Sequence, residues 1–94
     1  MQFMIIAYDG TDEGALNRRL AVRDSHIAGA IELKNAGNLI AGGAILDDAG
    51  RMIGSTTYVE FESRADLDSW LKSDPYVTGD VWRDIIITPI RLAV

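Results

Sequence analysis

The chain has 94 residues, enough for one domain with one small core and too few for two. Hydrophobic residues make up 48% and charged residues 24%, a globular balance that excludes wholesale disorder. Nine basic against fourteen acidic side chains give a net charge of -5, which excludes the basic footprint of a general nucleic-acid binder.

No apolar run approaches the roughly 18 residues of a membrane span, so no membrane partner is expected. The first nine residues have neither a basic region nor a small-residue cleavage site, unlike a signal peptide. The absence of cysteine removes disulfides, Cys-based zinc sites and thiolate nucleophiles. It fits a reducing compartment, and a cytoplasmic protein is expected. No internal repeat, low-complexity tract or linker divides residues 1–94, so a single domain is expected.

Gln2 to Tyr8 is rich in Phe, Met and Ile and is closed by Asp9-Gly10, which predicts a buried strand. Helical patterning runs from about Glu13 to Ala36 and stops at Gly37, a good left-handed terminator. Leu16, Leu20, Ile27 and Ile31 form an apolar stripe along it. Asp24 or Ser25 can cap a second start, so two helices with a break near Arg23 are also compatible. Asn38 to Leu46 predicts a strand containing Gly42-Gly43, a pair that suits a bulge or the close approach of a ligand. Asp47-Asp48-Ala49-Gly50 predicts a turn into a strand from Met52 to Phe61. Thr57, Val59 and Phe61 share one face of that strand, with Tyr58, Glu60 and Glu62 on the other. Ser63 and Asp66 open a second helix with Leu67, Trp70 and Leu71 on its buried face, and Asp74-Pro75 ends it. Asp84 to Ile90 predicts a last strand whose Ile85-Ile86-Ile87 run suits cover on both faces.

The order is βαββαβ, which predicts an α+β, ferredoxin-like fold with a four-stranded antiparallel sheet. Two helical segments cover one sheet face and leave the other open. Covering that face with a second copy predicts a homodimer through the open sheet face.

His26 is the only histidine, and so the only side chain whose ordinary titration lies near neutrality. Arg19, Arg23 and His26, spaced four and three apart, share one helical face. Two fixed cations beside an imidazole can hold an anionic substrate while the ring moves a proton. A solvated polar stripe fits the same spacing. Asp74 suits the cap of a short turn beginning at Pro75, and equally a carboxylate that orients His26. Gly43 can admit a ligand to the strand backbone, and Ser55, within Gly54-Ser55-Thr56-Thr57, can line a cleft or face solvent. Tyr8, Tyr58, Tyr76, Trp70 and Trp82 read as core or interface residues. No phosphate loop, metal-ligand spacing or nucleophile elbow is present, so no cofactor and no metal are expected.

Taken together, these residues resemble the YciI-like family, the YCII-related domain of the dimeric α/β-barrel superfamily. The likeness rests on Arg19 to His26, Leu39 to Gly43, Gly54-Ser55-Thr56, Val59 to Ser63, and Trp70 through Asp74-Pro75-Tyr76-Val77. The resemblance implies dimerisation through the sheets and a site centred on a His–Asp pair, here His26 and Asp74, with Arg23 as the preceding arginine. This chain departs from the family's frequent Gly-Pro at Gly43-Ala44, and its following loop is short.

Two functions are therefore expected to compete. The first is a cofactor-independent lyase or isomerase acting on a small anionic ring or lactone. In it His26 and Asp74 transfer the proton, and Arg23, Arg19, Gly43 and Ser55 contact the substrate. The second is a non-catalytic small-molecule-binding or protein-interaction module of the same fold.

Overall fold

A computed structural model describes all 94 residues, Met1 to Val94. The elements are β1 (Gln2–Asp9), α1 (Ala15–Asn35), β2 (Leu39–Leu46), β3 (Met52–Glu60), α2 (Arg64–Ser73), a one-turn α3 (Pro75–Thr78) and β4 (Trp82–Ile90). All strand pairs are antiparallel, and the sheet order is β2-β3-β1-β4, the ferredoxin-like arrangement. No helix is long and apolar enough to cross a membrane.

Strand alternation decides which side chains meet the helices. Phe3, Ile5 and Ala7 of β1 point under them and are buried. Thr57 and Val59 of β3 share that face, as the alternation predicts, and Phe61 beyond the strand end is buried beside them. Phe3, Ile5, Val59, Phe61 and Leu67 form one apolar cluster. Complete burial stabilises each large apolar side chain by about 1.5–3 kcal/mol. A second cluster joins Ala7, Tyr76, Val81 and Trp82 under the other end of α1. Six polar or charged residues are also buried, namely Asp9, Arg19, His26, Ser55, Thr57 and Asp74.

The structure corrects the reading of α1 twice. It is one continuous helix with no break near Arg23, and Gly37 ends it at φ 85°. Its buried face is not the Leu16–Ile31 stripe, since Leu20, Ile27 and Ile31 are exposed. Ala15, Arg19 and His26 face inward instead, with Val22 and Leu33 partly buried between and beyond them. Arg19 and His26 are both met by partners from other elements, Arg19 by Asp9 and Ser55 and His26 by Asp74, as buried polar groups require.

The other elements follow their local chemistry. Asp47 holds the β2–β3 turn by accepting from the Ala49 and Arg51 amides at 2.9 Å, and Gly50 supplies φ 80°. Ser63 caps α2 by accepting from the Asp66 amide. The bulge in β2 lies at Ile40, between the Leu39 and Ala41 pairings, rather than at the glycine pair. Gly42 answers to a close approach, because a β-carbon there would stand 3.0 Å from the Thr57 methyl.

The expected two-sided cover of β4 does not arise within one chain. The strand forms a sheet edge, Ile85 and Ile87 are partly buried, and Ile86 is 50% exposed on the open face.

Candidate active site

α1 sets the geometry of the site. Arg19 and His26 are seven residues apart, two turns along one face, and both reach down to the sheet. Asp74 approaches from the junction of α2 and α3. Pro75 forces its backbone out of the helical region, to φ -69° and ψ 132°, which turns the carboxylate back toward α1.

The Asp74 carboxylate meets two partners. Its Oδ1 accepts the Tyr76 amide at 2.8 Å, which caps α3. The same carboxylate accepts from His26 Nδ1, with Nδ1 to Oδ1 and Oδ2 distances of 2.9 and 3.1 Å. The two side chains are only 11% and 4% exposed. An ionised carboxylate offers only lone pairs, so Nδ1 carries a proton, and in the neutral ring Nε2 presents its own lone pair. Nε2 has no partner in the protein, and His26 lines an adjacent cavity.

Aromatic rings fix the imidazole plane. Tyr76 stacks on it with centroids 3.7 Å apart and planes 12° apart. Trp82 meets it edge-on at 5.7 Å and 74°. The guanidinium of Arg19 lies 4.6 Å from the Tyr76 centroid. Since the imidazole stack fills one face of the phenol ring, Arg19 takes the other. α1 therefore grips Tyr76 between residues two turns apart. Burial raises the Tyr76 phenol above its ordinary titration, against the opposing pull of the Arg19 and Arg23 charges. The phenol thus stays neutral at physiological pH.

Arg19 is engaged within the protein. Its Nη1 donates to both oxygens of Asp9 at 3.0 and 3.1 Å, and both side chains are 3% exposed. Its Nη2 donates to Ser55 Oγ at 2.8 Å, and Trp82 Nε1 donates to the same oxygen at 3.1 Å. With its charge balanced by Asp9, Arg19 mainly holds the site together. Arg23, one turn along, lines the same cavity from an exposed position and forms neither an ion pair nor a hydrogen bond. It is the free cation of the site.

The cavity measures about 240 Å³, below the roughly 300–1,000 Å³ of sites for drug-sized ligands, and so suits a single small ring. Its buried end is formed by Arg19, His26, Tyr76, Ser55 and Thr57, and its open end by Arg23, Ile27 and the Gly43-Ala44 backbone. The sequence-predicted residues Arg19, Arg23, His26, Gly43 and Ser55 all line it, while Asp74 stands behind His26. A wider groove of about 590 Å³ beside Asp9, Asp12 and Asp47 contains no imidazole. No group of three or more His, Cys, Asp or Glu side chains is placed to hold a metal ion.

Sequence reasoning missed four residues. Asp9, at the end of β1, read as turn chemistry, and Thr57 as one of three neighbouring hydroxyls able to line a cleft or face solvent, with no site role of its own. Tyr76 and Trp82 read as core, which they are, but their rings also position the imidazole. The signal for Tyr76 was its place two residues after the capping aspartate.

The chain and its fold have counterparts among known proteins. The family model described as the YCII-related domain matches residues 1–91. Protein YciI of Escherichia coli is 33% identical over 97 residues, which cover 97% of each chain. The structure of 5-chloro-2-hydroxyhydroquinone dehydrochlorinase from Burkholderia phenoliruptrix, in complex with 2,5-dihydroxybenzoquinone, is similar with a TM-score of 0.84 at 26% identity. The match covers 97% of this chain and 94% of that one. A dimeric ferredoxin-like protein from Jannaschia sp. shares the fold with a TM-score of 0.52 at 13% identity, over 97% and 98% of the two chains. By the match of its sequence over almost its whole length, the chain belongs to the YCII-related family.

Proposed function

We propose that the protein is a cofactor-independent enzyme that moves a proton on a small, anionic, oxygenated ring, with His26 as the acid–base group. The observation that carries this reading is the buried His26–Asp74 pair, whose free Nε2 lone pair adjoins a cavity of single-ring size. Nε2 takes a proton from a ring hydroxyl or from a carbon next to a carbonyl. Asp74 stabilises the imidazolium that forms, and Tyr76 and Trp82 hold its plane. Arg23 attracts the anion at the open end. Returning the proton at another atom completes an isomerisation. Expelling a leaving anion completes an elimination, in which H⁺ and the anion depart together and no external oxidant is needed. The similarity to a dehydrochlorinase supports the elimination branch.

We further propose that two copies pack through their open sheet faces. Met4 and Ile6 lie there, opposite Tyr58 and Thr56 on one side and Thr88 and Ile86 on the other. The exposure of Ile86 and the dimeric ferredoxin-like neighbour support this arrangement.

The test uses hydroxyquinols with and without a ring chlorine, aromatic acids and lactones, incubated in D₂O. NMR reads deuterium incorporation, and an electrode reads chloride. Turnover is expected to fall by about 10²- to 10⁴-fold in His26→Gln, the usual contribution of one positioned acid–base group. Turnover that survives this substitution would sink the proposal.

A further inference from the structure

Two buried side-chain atoms in the whole molecule lack a hydrogen-bond partner: Arg19 Nε and Thr57 Oγ1. Both residues line the cavity that His26 lines, and they are 3% and 8% exposed. Buried polar groups without partners are rare in folded proteins, because each costs the solvation it has lost. Two at one end of one cavity point to a ligand that satisfies them.

Ser55 adds a third unmet group. Its oxygen accepts from Arg19 Nη2 and Trp82 Nε1, which occupies both lone pairs. Its own proton has no acceptor in the protein and remains available. Ser55 and Thr57 are two residues apart on the inner face of β3, about 6.6 Å along the strand. Arg19 reaches this face from α1. Gly42, paired with Thr57, keeps the approach open, since a β-carbon there would press on the Thr57 methyl.

The inventory of this end is one-sided. Arg19 Nε offers only a proton, and Ser55 has only a proton left to offer. The Thr57 hydroxyl can donate as well. No carboxylate lines the cavity, and Asp9 behind Arg19 is already bonded to it. Such a set suits an oxygen carrying negative charge and does not suit an ammonium or amide N–H.

We propose that Arg19 Nε, Ser55 Oγ and Thr57 Oγ1 form a subsite for a carbonyl or enolate oxygen of the substrate ring. This inference rests on the proton-transfer reading above and deepens it. When His26 withdraws a proton at one position, negative charge gathers on a conjugated oxygen elsewhere on the ring. The three donors stand where that charge collects, buried from water, where a hydrogen bond stabilises charge most. Arg23 at the open end then fixes a second anionic group, so the ring is held from both ends and its orientation is set. Thr57 makes the subsite selective: a ring lacking an oxygen at this position leaves all three donors unmet.

The experiment measures calorimetric binding of 2,5-dihydroxybenzoquinone to the wild type, Thr57→Val and Thr57→Ser, alongside the melting temperature of each free protein. Valine keeps the shape and removes the hydroxyl. The dissociation constant is expected to rise about tenfold or more in Thr57→Val, the effect of losing a hydrogen bond to a charged group. It is expected to stay within about twofold in Thr57→Ser. The free Thr57→Val protein is expected to melt at the wild-type temperature or a few degrees above it, because an unmet hydroxyl has been removed. Equal affinity in Thr57→Val overturns the inference, and so does a failure of the wild type to bind the quinone. A lower melting temperature at unchanged affinity also overturns it, and means that the hydroxyl is satisfied by buried water. Should Thr57→Val fold poorly, Thr57→Ala against Thr57→Ser reads the same hydroxyl and is expected to show the same tenfold gap. Dependence of turnover on His26 is measured separately, so the subsite can fail while the proton-transfer reading stands.

Discussion

Replacing Arg19 by methionine is expected to damage the fold more than any other single change at the site. The guanidinium and the Asp9 carboxylate are each only 3% exposed and are joined at 3.0 and 3.1 Å. Removing the cation leaves a carboxylate buried without its countercharge, a loss that costs about 3–5 kcal/mol. It also removes the Nη2 bond to Ser55 and the contact with the Tyr76 ring. A chain of 94 residues has a total stability of about 5–14 kcal/mol, so this one change removes a third or more of a mid-range value. The melting temperature should fall by at least about 12 °C, at about 4 °C or more per kcal/mol for a domain of this size. Removing both charges in Arg19→Met with Asp9→Leu should recover most of the loss, because the orphaned charge carries the penalty. Urea unfolding followed by circular dichroism, at one fixed protein concentration, measures all three proteins. If Arg19→Met lies within about 1 kcal/mol of the wild type, water reaches Asp9 and the account of a dry, charge-balanced end of the cavity is wrong.

Two further outcomes are expected. Hydrogen bonds from Arg18 at 2.9 and 3.1 Å hold the Asp12 carboxyl down to about 2, from an ordinary 3.8. A depressed folded value stabilises the fold above the ordinary value and loses that effect as the pH falls toward 2. The melting-temperature gap between wild type and Asp12→Asn should therefore be constant above pH 5 and close between pH 4 and pH 2; a gap that widens on acidification would contradict it. Light scattering should find a dimer for the wild type and a monomer for Ile86→Lys, which places a charge on the open sheet face; a monomeric wild type would refute the sheet-to-sheet arrangement.

The strands were legible because apolar content and alternation are local properties of the chain. Period two put Thr57, Val59 and Phe61 on one face, and all three are buried. In β1 it leaves Phe3 and Ile5 as apolar as Met4 and Ile6, so only packing decides which pair the helices cover. The caps at Ser63 and Asp74 were legible for the same reason, since a cap is a contact across two or three residues. The buried face of α1 was not. Hydrophobic spacing selected Leu20, Ile27 and Ile31, yet the helix turns Arg19 and His26 inward, because Asp9, Ser55 and Asp74 satisfy them from other elements. Those partners lie 10, 36 and 48 residues away in sequence, and no local pattern reports them. Ile86 shows the reverse case: a run suited to cover on both faces finds only one within the chain, and the missing cover is the second copy proposed above. Tyr76 was visible as part of Asp-Pro-Tyr, but its stack on the imidazole depends on the turn at Pro75.

The central claim is that Asp74 fixes His26 with its proton on Nδ1 and its lone pair on Nε2, and ¹⁵N NMR of the single histidine tests it most directly. In the neutral wild-type ring, one tautomer should dominate, with Nδ1 protonated and Nε2 bare. In Asp74→Asn the amide can present an N–H of its own, and the preference should weaken or reverse. A wild-type ring protonated mainly on Nε2, or an even mixture unaffected by Asp74→Asn, would contradict the account and leave the cavity without its base.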